Sequence, residues 1–250
     1  MRYGLLLAVL VAAAFPETAA AQAVNDYSQC VALVQRNPAL AEESARAWQD
    51  RGGGVGAIHC SALALTSLQR YAEAARKLDA LARSREIADN LDRADLFDQA
   101  GNAWMLAGSA GSAVSSFSDA LAQNPRDVGY LVDRARAYAM MKDWSGANTD
   151  LSAALLKDQN RADLLVLRAS ARWALGRKAD AATDIVRALE LYPDYPAALV
   201  ERGVMKFSVG DKEGARVDWK KAASQPGGGA AVEEARRNLA ALGPEPKKDR

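Results

Sequence analysis

Leucine, valine and arginine recur in register along the second half of the chain. Leu-Val-Asp-Arg at 131–134 is followed by Leu-Val-Leu-Arg at 165–168 and Leu-Val-Glu-Arg at 199–202, each 34 residues after the last. Large apolar residues keep the same step at Phe117, Leu151, Ile185 and Trp219. Two rows of alanine do so as well: Ala113, Ala147, Ala181 and Ala215, then Ala120, Ala154, Ala188 and Ala222. Gly108, Gly176 and Gly210 form a further row in which Lys142 takes the missing place, and Pro125 and Pro193 close two units with Gln159 between them. A fixed period of this length marks a stacked repeat, in which each unit buries its apolar face only against its neighbours. The apolar–polar alternation of strands is weak throughout. Abundant Ala, Leu and Arg with little Pro favour helices, so the chain is expected to be all-α.

These rows resemble the tetratricopeptide repeat (TPR), whose unit is a pair of antiparallel helices with small residues at the crossing and a proline at the exit. Ala and Gly let two backbones approach while the bulky residue beside them fills the gap. The resemblance implies a right-handed α-solenoid with units at 94–127, 128–161, 162–195 and 196–229. A less regular unit at 55–88 carries Ala74 and Leu78 in the matching places and is followed by a five-residue insertion, Asp89 to Arg93. Asp26–Arg36 and Pro38–Arg51 read as two more helices of an N-terminal cap over 24–54. Asn37 is placed to cap the second, Pro38 takes its first position, and Gly52-Gly53-Gly54 stops it. Ala230–Leu242 reads as a C-terminal capping helix, which an array with apolar end faces requires, and 243–250 as a polar flexible tail.

The arginine rows pose a choice between ligand comb and internal fastening. Arg134, Arg168 and Arg202 sit at the seventh place of their units, and Asp150, Asp184 and Asp218 at the twenty-third. The unit at 94–127 has Ala100 and Ser116 there, and the unit at 55–88 has Ser61 and Lys77. Arginine and aspartate are gained and lost together. An ion pair within each unit requires this, because a half-buried charge without its partner is expensive.

The N-terminus adds a compartment. A short positive start, an apolar run from Gly4 to Phe15 and small-x-small sites at Ala19–Ala21 and Ala21–Ala23 match a cleaved leader over 1–21, with cleavage after 21 or 23. The run is too short for a comfortable membrane span, and no later stretch is long enough, so no membrane insertion is expected after cleavage. Export implies the bacterial periplasm and a soluble protein. Cys30 and Cys60, the two cysteines of the chain, then form a structural disulfide. The sharper alternative, a catalytic thiol beside His59, is disfavoured because adjacent residues on a helix point about 100° apart. A formal net charge of +1 leaves no basic excess for nucleic acid. One histidine and one disulfide make no ordinary zinc site, and no phosphate loop is present. Neither enzyme, metal nor cofactor is expected.

What remains is a binding surface. In TPR proteins the concave groove is lined by the second, fifth, ninth, twelfth and thirteenth places of each first helix. Carried over, these places give Asp98, Asn102 and Met105; Val132, Arg136 and Met140; Val166, Ser170 and Trp173; Val200, Val204 and Phe207. His59, Leu63 and Thr66 would extend the row. Such a surface suits a peptide or amphipathic helix of another protein. The family's carboxylate clamp is not matched, since Asn102 stands without lysines. The expected role is a periplasmic scaffold or adaptor. The alternative is an envelope or secretion assembly factor, or chaperone, binding substrates transiently through the adaptable Met105 and Met140.

Overall fold

A computed structural model describes residues 24–243, so the expected leader at 1–21 and all but the first residue of the tail lie outside the described residues. Those described form thirteen helices and no strand. In order they are α1 (Tyr27–Arg36), α2 (Pro38–Asp50), α3 (Gly54–Ser67), α4 (Tyr71–Ala82), α5 (Asn90–Leu106), α6 (Ala110–Gln123) and α7 (Val128–Met140). Then come α8 (Trp144–Leu155), α9 (Ala162–Ala174), α10 (Lys178–Leu191), α11 (Pro196–Ser208), α12 (Lys212–Ala223) and α13 (Ala230–Leu242). Several start where a short polar side chain can accept a first-turn amide: Asp26 from Gln29, Asn37 from Leu40, Asp127 from Tyr130, Asp143 from Gly146 and Asp211 from Gly214.

From α3 to α12 the helices pack as consecutive antiparallel pairs, and one apolar core runs through the stack into α13. Inside each pair the eighth place of the first helix faces the twenty-fourth of the second, and their sizes are matched. A Cβ added at Gly101 would lie 2.5 Å from the Phe117 ring, and one at Gly203 would lie 2.3 Å from Nε1 of Trp219. Where the twenty-fourth residue is aliphatic, at Leu151 and Ile185, the eighth is Ala135 and Ala169. Gly203→Ala is therefore expected to cost about 2 kcal/mol from overpacking, although alanine favours a helix by roughly 1 kcal/mol. Trp219→Leu on that background should restore part of the loss. A Gly203→Ala variant with a raised denaturation midpoint would refute the matching.

Each pair turns through a left-handed residue at the fifteenth place. Gly108, Gly176 and Gly210 supply it at φ +74, +76 and +89, but Gln69 and Lys142 adopt φ +60 in the same register. A residue with a Cβ is strained there. Lys142→Gly is expected to raise stability by about 1 kcal/mol, read as a shift in the urea midpoint at unchanged slope. An unchanged midpoint would count against it.

The five-residue insertion is absorbed into a helix rather than a loop. Asn90 to Arg93 form the first turn of α5, and the Arg93 guanidinium donates to the carbonyl oxygens of Ala82, Ser84 and Ile87 in the α4–α5 connection. At the N-terminal end α1 packs on α2 and α3, and the Cys30–Cys60 disulfide joins α1 to α3 as expected. At the other end α13 buries Val232 and Ala235 against the last pair, and Arg216 Nη1 donates to the Gly243 carbonyl at 2.7 Å. Among the described residues no helix is long and apolar enough to cross a membrane.

Candidate functional site

Successive first helices approach one another: α5 comes close to α7, and α9 to α11. No pair of successive second helices is as closely packed. The first helices therefore form the tighter, inner layer of the stack. Side-chain bonds cross this layer. His59 Nε2 meets Gln99 Oε1 at 2.8 Å, the Tyr130 hydroxyl donates to Asp95, and Ser170 Oγ donates to Glu201 Oε1 at 2.9 Å.

These contacts sort the expected groove residues. Val132, Val166 and Val200 are 6%, 7% and 2% exposed and belong to the main core, so the expectation that they line a ligand surface is corrected. The close approach of neighbouring first helices closes over the fifth place wherever it carries a compact β-branched side chain. Met105 packs with Trp104 and Val114 on Phe117 and Ala137. Asn102 donates to the carbonyl and carboxylate of Asp98, both at 3.1 Å. Ser170 is engaged by Glu201 and by the Val166 carbonyl. Val204 is half-buried against the core, and Trp173 is half-buried with the Lys178 ammonium 5.2 Å from its ring centre. Arg136, paired with Asp133 at 2.8 Å, remains exposed, as do Met140 at 50% and Phe207 at 46%.

At the N-terminal extension, His59 stands between the stacked Tyr27 ring, whose hydroxyl lies 2.9 Å from Nδ1, and Gln99. Leu63 packs on the disulfide cluster, and Thr66 Oγ1 donates to the Ala62 carbonyl. Cys60 is bonded to Cys30 and carries no thiol, which removes the thiol–histidine alternative.

The arginines at the seventh place point into their own units. Arg134 Nε and Nη2 each lie 2.8 Å from Asp150, Arg168 grips Asp184 at 2.9 and 2.7 Å, and Arg202 grips Asp218 at 2.9 and 2.6 Å. The forks are bidentate, the geometry that suits guanidinium to carboxylate. Hydrogen bonding by Asp150 and Asp218 holds Arg134 and Arg202 above the ordinary arginine range. Burial pushes the Asp218 carboxyl up, but bonds from Arg202 and Lys206 outweigh it and leave the group below the ordinary carboxylate range. Four partners escaped the sequence reading. Arg172 adds a second guanidinium to Asp184 at 2.7 Å, Lys206 a second cation to Asp218 at 2.8 Å, and Arg134 and Arg168 also reach Ser118 and Ser152 of the preceding unit. A serine at the twenty-fifth place of two successive units was the available signal. Across the two units without the arginine, Asp79 of α4 in the first accepts instead from Trp104 and Ser116 of the second, at 2.8 and 2.9 Å.

Asp98 stands apart from these satisfied groups. One carboxylate oxygen accepts from Asn102, whereas Oδ1 is buried with no hydrogen-bond partner. Burial, then the charges of Asp133, Asp95 and Asp127, push its carboxyl up to about 7. Further along the inner layer burial, aided by Glu234, raises the Glu201 carboxyl although Ser170 opposes the shift. The inner face thus has an acidic character that the balanced net charge conceals. An unpaired buried acceptor is costly and calls for a donor.

No protein-family model matches the chain, and no curated protein matches it. Solved structures do. MamA from Desulfovibrio magneticus RS-1, from residue 41 to its end, superposes with a TM-score of 0.59 at 19% identity over 74% of this chain and 96% of that one. A tetratricopeptide repeat protein from Parabacteroides merdae ATCC 43184 gives 0.58 at 18% identity over 86% and 84%. A further MamA crystal structure gives 0.56 at 14% identity over 72% and 96%. These likenesses identify the fold as an all-α TPR solenoid.

Proposed function

We propose that this TPR solenoid is a non-enzymatic scaffold of the bacterial periplasm that holds a peptide or helix of another protein along its inner face. The observation that carries the reading is the buried, unpartnered Oδ1 of Asp98 on the inner layer, set among the charges of Asp133, Asp95 and Asp127. A lysine, arginine or amide of the partner would complete that carboxylate, while Met140 of α7 and Phe207 of α11 offer exposed apolar contact in later units. The leader pattern before residue 24 and the Cys30–Cys60 disulfide support the compartment.

The test is affinity capture from a periplasmic extract with the mature protein, Asp98→Asn and Asp98→Asn/Met140→Glu. The partner held by the native groove should be lost from the double variant. Its capture by the native protein should also weaken as pH falls through about 7, because protonation removes the Asp98 charge. The sign for stability is the reverse. The folded-state value lies above the ordinary one, so the folded protein binds this proton more tightly and stability falls as pH rises from about 4 to about 7. Asp98→Asn should therefore gain melting temperature at pH 8 and little at pH 5. Equal capture by all three proteins would remove the groove from the account.

A further inference from the structure

The boundaries between successive units are not equivalent. Between α8 and α9 polar groups plug the notch at the helix ends, and a cavity of about 310 Å³ lined by Ser152, Leu155, Arg168 and Asp184 opens beside them. Arg172 Nε donates to Asn148 Oδ1 at 3.3 Å, and Arg168 reaches Ser152 Oγ at 3.5 Å. One unit later, Asn148 is replaced by Ala182, Ser152 by Val186 and Arg172 by Lys206. The plug is gone. In its place lies a cavity of about 290 Å³ lined by Trp173, Ala182, Ile185 and Met205, with Val186 (51% exposed) and Val209 (71%) at its mouth.

The charged residues lining this cavity are all cations: Lys178, Arg202 and Lys206. Asp218 holds Arg202 and Lys206 at 2.6 and 2.8 Å. Among the described residues Lys178 has no such carboxylate; its ammonium rests over the face of Trp173. An apolar recess with an uncommitted cation at the rim selects for an apolar group carried beside a negative charge. Its volume falls just under that of typical small-molecule sites, roughly 300–1,000 Å³, and suits one large side chain rather than a cofactor.

We propose that the α10–α11 notch, which Trp173 of the expected groove row lines, receives a leucine- or phenylalanine-sized side chain from an acidic segment of a partner protein, as a docking point distinct from the Asp98 region of the inner face. The proposal stands or falls independently of the Asp98 region.

A synthetic acidic peptide with one central leucine, titrated into the native protein to about 1 mM, provides the probe. Methyl resonances of Val186, Val209 and Met205 should shift. The same peptide with glycine for leucine, or with lysines for its acids, should leave them in place. Ala182→Asn/Val186→Ser/Lys206→Arg rebuilds the plug of the preceding boundary and keeps a cation for Asp218; it should weaken the peptide at least about tenfold. Lys178→Glu alters only an exposed side chain and should do the same, which covers failure of the triple variant to fold. No shift with the acidic peptide, equal binding by Lys178→Glu, or equal binding of the lysine peptide would overturn the proposal. Shifts that follow protein concentration without peptide would also overturn it, because they would assign the notch to a second copy of the chain.

Discussion

Asp184→Ala is expected to lower the unfolding free energy by about 3–5 kcal/mol, the largest loss predicted for a single side chain here. The carboxylate is 4% exposed and accepts from Arg168 and Arg172, whose side chains are 17% and 16% exposed. Removing it strands two guanidinium groups in a packed setting at once. Arg168→Ala should cost less, since Arg172 continues to satisfy the carboxylate. The asymmetry separates this network from three equivalent pairs: at Asp150 a single guanidinium, Arg134, provides the bidentate grip. The two variants can be compared by urea denaturation with partner capture measured in parallel. A loss below about 1 kcal/mol for Asp184→Ala, or abolished capture with stability intact, would return the arginine row to the ligand-comb reading.

Reduction of the Cys30–Cys60 bond is expected to cost about 3–4 kcal/mol in the chain-entropy description of a closed loop of this size. The loss should be local. Helix α1 packs on α2 and α3, and its small cluster of Val24, Val34, Ala41 and Ala45 is separate from the main core. With reductant present, amides of α1 should lose most of their protection against hydrogen exchange, while those of α9 to α12 exchange as before. Equal protection of α1 in both redox states would show that packing alone holds it.

The sequence made the repeat legible because independent rows agree on one period, and the fastening legible because two charged rows vary together. The groove was less so. A register carried over from other repeats gives a residue's place on a helix but not the depth at which its neighbour closes over it. Val132, Val166 and Val200 share the fifth place with Asp98, yet the valines are buried and the aspartate stays half-exposed. Three β-branched residues in a row at one place could have been read as packing. The acidic surroundings of Asp98 were hidden by global charge balance, which does not say where on the fold each charge falls. The notch at α10–α11 left a trace in the sequence too, as three polar positions of one unit lost together in the next. That trace carries meaning only once Asn148, Ser152 and Arg172 are seen to meet at one boundary.

The disulfide has a consequence for direction. A repeat stack is close to one-dimensional, and each unit leans on the next. The covalent clasp binds only the first end of the row, whereas α13 is held at the far end by packing and the Arg216–Gly243 bond. Fraying then starts at α13 and runs toward the clasp, so unfolding that enters from that side meets the units in reverse order of synthesis. The chain behaves as a zipper with one sewn end.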